Sequence, residues 1–450
     1  MGALWSYFRL FQPHRCRFWP CLITLALTIV FLQLIHMALL SRLEEKEARM
    51  RETKSVGRQL QGRMFKNVLG EMLERVRNSY RFDKSGTYHV LDNFLTSEHV
   101  VLGRGEYDVS IATHSSSGNL AHLVELSERW RGPISVSVFT FDDDFAQTVS
   151  SLVHYHFCND HIYRHVSFHL VYPISRAPKH LDALSQMTLS CLDYAHAHLV
   201  VAPIPSLPNY ANKDLDYPNN LLRNLAINYA LTPYIFMVDV DMVPSENLRV
   251  LFHSLMTSDN HGLVDRSANG TEGAHRPISP QKKDQSHSAY VVPVFEIQGS
   301  STVPRTKSEL LDLWRKGLVR PFYWEACEKC QRPTDYERWK SLEDFGFVRI
   351  GYQVTRVDPW EPFYIAKTSL PLYDERFKQY GFNRISQVCE MHVAGFDFYV
   401  LDNAFLVHRG FKVKDEFHSR KDAENSRNLL LFRKFKEELK VKYPNVSRRC

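Results

Sequence analysis

Between residues 107 and 238 the chain alternates two apolar patterns. Residues 107–112, 134–141, 166–171 and 234–238 read as short strands, the last, apolar throughout, as a buried one. Residues 119–130, 145–154 and 220–230 instead carry apolar positions at helical spacing, the last expected to open from Asn219 as an N-cap. Strand and helix in turn predict an α/β domain around a parallel-type sheet. Further along, 290–295 returns to strand character and 307–316 to helix, 320–364 is dense in Trp, Tyr and Phe, and the stretch after Lys421 reads as a charged helix. Residues 262–288, polar and rich in Gly, Ser, His and Lys, break the rhythm and read as an exposed loop.

Ahead of this domain, residues 18–40 run apolar with no charge between Arg17 and Arg42, close to the ~20 residues that cross a bilayer. The run is longer than the apolar core of a cleaved signal, and no small-residue cleavage site follows it, so an anchor is expected. Arg9, Arg15 and Arg17 precede the span, which makes 1–17 a cytoplasmic tail and 18–40 the transmembrane anchor. Residues 41–85 are charged, with Leu60, Met64, Val68, Met72 and Val76 at helical spacing, and predict a helical stem. Residues 86–450 would then be the lumenal domain. Six of the eight cysteines (Cys158, Cys191, Cys327, Cys330, Cys389 and Cys450) fall on that side, an even number where disulfides form, with the pairing left open. Cys327 and Cys330 lack the second pair that a zinc site needs, and a structural role is favoured over a redox one. A net charge of +6 over 450 residues is too mild to suggest a nucleic-acid partner.

Chemistry concentrates where the apolar run 234–238 ends in Asp239-Val240-Asp241. Open α/β sheets bind ligands at the carboxyl ends of their strands. Two carboxylates there suit Mn²⁺ or Mg²⁺, and through the metal a diphosphate, with one of them able to reach sugar or ribose instead. A helix is expected to follow from about Ser245. A second apolar strand ends in His408-Arg409-Gly410-Phe411-Lys412. Here His408 could be a third metal ligand, Gly410 could let the backbone approach a phosphate, and Lys412 could neutralise a departing diphosphate. An ordinary strand end followed by a surface lysine is the open alternative.

Five segments carry a family resemblance: 217–224 (Tyr-Pro-Asn-Asn-Leu-Leu-Arg-Asn), 238–246 (Val-Asp-Val-Asp-Met-Val-Pro-Ser-Glu), 358–364 (Asp-Pro-Trp-Glu-Pro-Phe-Tyr), 374–387 and 392–397. Together, across residues 107–450, they resemble the beta-1,4-glucuronyltransferase family of dystroglycan O-mannosyl glycan synthesis, and more distantly the C-terminal domain of LARGE-type glycosyltransferases. The resemblance implies a type A glycosyltransferase fold with a Rossmann-like mixed sheet, Mn²⁺ dependence and residence in the Golgi membrane. It also implies UDP-glucuronate as donor and a xylose-terminated O-mannosyl glycoprotein as acceptor. The alternatives are another UDP sugar, N-acetylglucosamine or xylose, or a non-catalytic partner of other Golgi glycosyltransferases.

An inverting transfer needs a base for the acceptor hydroxyl. After the Tyr380-Gly381 turn, where many inverting enzymes of this fold carry carboxylates, this chain has Phe382, Asn383 and Arg384. The base is therefore sought among Glu361, Asp374, Glu375 and Glu390. Arg320, Arg356 and Arg384 are candidates to clamp the uronate carboxylate. Thr113 and His114, ending the first strand, and Asn220 and Arg223, opening a helix beside it, are expected at the nucleotide.

Overall fold

A computed structural model of the chain describes residues 80–98, 105–178, 215–257, 285–413 and 420–450, the helix 65–78, and isolated positions at 23–37 and 181–213. Residues 1–68 and 69–450 are two separate compact units. In the first, Ile23, Leu27, Ile29, Leu32 and Met37 are helical and exposed, but most of the expected anchor 18–40 lies outside the described residues. Among the described residues no helix is long and apolar enough to cross a membrane. The loop expected at 262–288 lies outside the described residues up to 284.

Within the second unit, Met72 and Val76 of the stripe expected of the stem are buried, joined by Leu69, while Leu60 and Met64 lie outside the described residues; Arg75 donates to the carbonyls of Asp92 and Asn93. The described residues form fourteen strands: β1 (Arg81–Phe82), β2 (Tyr88–Leu95), β3 (Val109–Ser116), β4 (Ile134–Phe139), β5 (Val166–Pro173), β6 (Tyr234–Met237), β7 (Met242–Pro244), β8 (Ser288–Val292), β9 (Val294–Ile297), β10 (Val319–Pro321), β11 (Arg349–Val354), β12 (Phe363–Lys367), β13 (Asp397–Asp402) and β14 (Leu406–Arg409). Ten make one sheet in the order β1-β2-β5-β4-β3-β6-β12-β8-β13-β11, and four make a second, β10-β9-β14-β7.

The first sheet has a parallel centre, where β5, β4, β3 and β6 run side by side, and one further parallel pair, β8 with β13. The four central strands are buried along nearly their whole length, Ser, Thr and His positions included, and helices such as His122–Trp130 and Asn219–Asn228 pack nearby. Beyond β6 the sheet turns mixed, because β12 enters antiparallel to both β6 and β8. The strand sequence 5-4-3 reverses to 6 at the β3/β6 boundary, the kind of switch point where such sheets bind ligands.

Three local expectations are corrected. Asn219 is the first residue of its helix, with Pro218 in the capping position, because the first intrahelical bond runs from the Leu222 amide to the Pro218 carbonyl. The helix after the aspartates starts at Leu248, not near Ser245, since Met242–Pro244 is drawn out as β7 by pairing with β14. The expected strand 290–295 divides at Pro293. Proline has no amide to continue a ladder, and the chain passes there from the large sheet (β8) to the small one (β9). The β13-to-β14 connection repeats that crossing in parallel.

Candidate active site

Asp239 follows β6 directly, and the Val238 amide bonds the Ala112 carbonyl of β3, so Thr113 and His114 stand beside the aspartate in space. His114 Nδ1 lies 2.8 Å from the Tyr217 hydroxyl, and its Nε2 lies 3.9 Å from Asp239 Oδ1. Burial, then the Arg223 charge, push the His114 pKa down to about 3, so the ring is neutral near pH 7. Thr113 Oγ1 and His114 Nε2 are buried without a hydrogen-bond partner, which is costly unless a ligand or water meets them. Two arginines converge on the same carboxylate: Arg384 Nη2 donates to Asp239 Oδ1 at 2.7 Å, and Arg223 Nη2 lies at 3.6 Å. Burial alone would raise the Asp239 pKa, but Arg384 and Arg223 hold it below the ordinary carboxylate value.

The small sheet delivers the second carboxylate's partner. His408 pairs with Met242 across β14 and β7, which sets its Nε2 3.3 Å from Asp241 Oδ2. Nδ1 is 2.9 Å from the Gly410 carbonyl, an oxygen that can only accept, so Nδ1 carries a proton and Nε2 faces the carboxylate. A proton or a cation must then lie between Nε2 and Oδ2. Against the cost of burial, His408 and the Lys412 charge lower the Asp241 pKa to about 2. Among the described residues no three His, Cys, Asp or Glu side chains already converge as a metal cage, because Asp239 is turned to the arginines.

Asp239 opens onto a cavity of about 590 Å³ whose other wall includes Tyr323, Glu361, Tyr380 and Arg384. Arg384 enters it from the start of the helix Asn383–Val393, its guanidinium 4.0 Å from the Phe363 ring centre. The turn before that helix is clamped by the helix Lys421–Lys442: Asn428 Nδ2 donates to the carbonyls of Lys378, Tyr380 and Gly381, and Glu424 accepts from the Tyr380 amide. Gly381 has φ +92°, and a Cβ there would stand 2.5 Å from the Asn425 side chain. Only glycine allows this approach. Burial raises the Glu361 pKa, the two arginines pull it down less, and it remains above the ordinary value, a condition suited to a proton acceptor.

A family model described as glycosyl-transferase for dystroglycan matches residues 108–444. The chain belongs to this family. Beta-1,4-glucuronyltransferase 1 of Danio rerio is 36% identical over 458 residues, spanning 97% of this chain and 99% of that protein. Its Homo sapiens counterpart is 43% identical over 377 residues, 82% of each chain. Xylosyl- and glucuronyltransferase LARGE2s of Gallus gallus is more distant, 25% identical over 67% of this chain and 32% of that protein.

In this member of the family several sequence candidates stand away from the cavity. Asp374 is ion-paired with Arg376, Glu375 accepts from Asn224, and both line a separate cavity of about 530 Å³. Glu390 is tied to Lys442 and Tyr443. Asn220 is fully buried and braces the site by bonding the Asp374 carbonyl and accepting from Arg223. Arg356 pairs with Asp358. Arg320 bonds Glu296 and the Lys412 carbonyl, so it fixes the loop carrying Lys412. Sequence reasoning missed Glu296, which is fully buried and also accepts from the Tyr323 amide. Its signal was a lone carboxylate inside the apolar run 294–297.

Proposed function

We propose that this glycosyltransferase is an inverting, type A enzyme that moves glucuronate from UDP-glucuronate onto a β-xylose terminus, in β1,4 linkage, on O-mannosyl glycans such as that of dystroglycan. The names of its relatives at 36% and 43% identity support the sugar and the linkage. The observation that carries the reading is the meeting of Asp239, Arg223, Arg384 and Glu361 in one cavity. Transfer of a uronate needs a cation to receive the sugar's carboxylate and a base to accept the incoming hydroxyl's proton. Arg384 and Glu361 supply those two groups from the same wall.

In this reading the acceptor oxygen attacks the anomeric carbon while its proton passes to Glu361. The bond from that carbon to the diphosphate breaks, and Lys412 meets the negative charge that builds on the departing phosphate. Asp239, Asp241 and His408 would hold Mn²⁺, with Mg²⁺ as a substitute. The donor chemistry supports this: Asp241 lies 3.3 Å from an imidazole whose Nδ1 is committed to the Gly410 carbonyl, the second-layer bond usual for a ligating histidine, and Asp239 would turn from Arg384 to complete the set. When bound, the ion supplies charge neutralisation for the diphosphate. Thr113, His114 and Gly410 line the approach of the nucleotide, with Asn220 and Arg223 behind them. The span 18–40 would hold the enzyme in the Golgi membrane, with its domain in the lumen. The disulfides Cys158–Cys191, Cys327–Cys330 and Cys389–Cys450 fit an oxidising compartment.

The test is turnover by the full chain in Mn²⁺ with UDP-glucuronate, UDP-N-acetylglucosamine or UDP-xylose against a β-xyloside. Product from UDP-glucuronate is expected. Product from either of the other donors alone would overturn the donor assignment.

A further inference from the structure

Cys327 and Cys330 are bonded across only three residues. The entropy a cross-link removes from an unfolded chain shrinks with the loop it closes, so this bond gains least by that route among the disulfides described. Its effect is local. Inside the helical stretch Trp324–Gln331, Cys327 alone leaves helical geometry, with φ −157° and ψ 74°. The bent segment forms one wall of the 590 Å³ cavity through Ala326, Cys327, Lys329, Cys330 and Gln331.

That wall holds one residue of the opposite loop from both sides. The Glu361 amide donates to the Cys330 carbonyl at 2.8 Å. The buried Gln331 side chain donates to the Glu361 carbonyl at 3.0 Å. Next to it, Trp360 is fully buried and its indole N–H bonds Thr334, just beyond the same segment. Glu361 is thus seated on the backbone that the disulfide bends.

We propose that the Cys327–Cys330 disulfide is a positioning element for Glu361, and that its reduction moves Glu361 out of register with the cavity while leaving the nucleotide side intact. This rests on the reading of Glu361 as the base. A dithiol reductant opens the bond by thiolate attack on one sulfur, and its second thiol resolves the mixed disulfide. Cys327 and Cys330 end as two thiols, and the reductant ends as its own disulfide. Released from the ring, Cys327 is free to take helical geometry, which shifts the Cys330 carbonyl and the Gln331 amide together.

The experiment compares the full wild-type chain, oxidised and reduced, with a Cys327→Ser/Cys330→Ser double variant. The readouts are kcat with UDP-glucuronate and a β-xyloside, the Kd of UDP in Mn²⁺, and hydrogen exchange at the Glu361 amide. Misplacement of a reacting group by about an ångström costs up to ~10²-fold, so kcat should fall about 10- to 10²-fold in the double variant. UDP affinity should stay within about twofold. Reduced wild type should show the same loss, reversed by reoxidation, and the double variant should ignore reductant. Full kcat in the double variant, or joint loss of kcat and UDP binding through unfolding, overturns the proposal. If oxidised wild type turns over no donor, the functional reading fails instead, and exchange decides the positioning: the Glu361 amide should lose protection only when the bond is absent, and unchanged protection overturns it.

Discussion

On one side of the cavity His114, inside β3, which runs on past the expected end to Ser116, and Asp239, just after β6, stand on neighbouring parallel strands, and His408 reaches Asp241 from the end of β14. On the other side Tyr323, Glu361 and Arg384 stand on turns and a helix start held by long-range contacts. The first wall is fixed by sheet register, so its residues need little beyond correct strand pairing. The second stores strain. Tyr323, Gln379 and Phe382 have φ of 58°, 62° and 57°, a region that costs non-glycine residues of order 1–3 kcal/mol each. Bonds offset that cost: Glu296 to the Tyr323 amide, and Gln379 to the carbonyls of Leu215 and Tyr217. The contrast implies that damage to the turn-built wall should impair chemistry more than nucleotide binding, and damage to the strand-built wall should impair both.

The largest expected effect falls on the turn-built wall. Glu361→Gln keeps shape and removes the base, so kcat should fall about 10²- to 10⁴-fold with the Kd of UDP unchanged. Because burial raises the Glu361 pKa above the ordinary carboxylate value, the base form is lost on acidification sooner than for an exposed glutamate. The wild-type rate should therefore fall on the acid side, and the variant's residual rate should lack that limb. A normal kcat, or an unchanged acid limb in the variant, assigns the base elsewhere.

Asp241→Asn tests the strand-built wall. Loss of that preorganised charge should cost about 10²- to 10³-fold in kcat, and here UDP affinity in Mn²⁺ should fall as well. Near-normal turnover at limiting Mn²⁺ would remove Asp241 from the metal site.

The smallest effect is reserved for the clamp. Asn428→Ala leaves three carbonyls of the 378–381 turn without their shared donor, a change worth about 1–3 kcal/mol. Thermal unfolding should show a Tm lower by several degrees, with kcat reduced and UDP binding preserved. Equal losses of both would mean that the two walls are not separable.

What the sequence made legible follows the same division. The strand-built wall is readable because an apolar run ending in carboxylates, or in His-x-Gly, is a local signal: Asp239, Asp241, His408 and Gly410 all stand at the strand ends that the pattern marks. The turn-built wall depends on partners far along the chain. Nothing near Asp374 and Glu375 announces that Arg376 and Asn224 engage them, and nothing near Arg384 announces Asp239. The mixed sheet was equally hidden as a pattern, since β12 has the apolar character of a parallel strand and only its pairing with β6 and β8 reveals its direction. The three-residue strand β7 exists because β14 lies beside it, not because of its own length.

The clamp on the 378–381 turn also sets an order of events during biosynthesis. Glu424 follows Tyr380 by 44 residues, Asn428 follows Lys378 by 50, and Cys450 follows its partner Cys389 by 61. A nascent chain emerging N-terminus first therefore exposes the strands bearing His114 and Asp239 well before the helix Lys421–Lys442 exists. During that interval the strands bearing His114 and Asp239 can pair while the turn leading into Arg384 still lacks its clamp, so the strand-built wall is assembled before the turn-built one is locked.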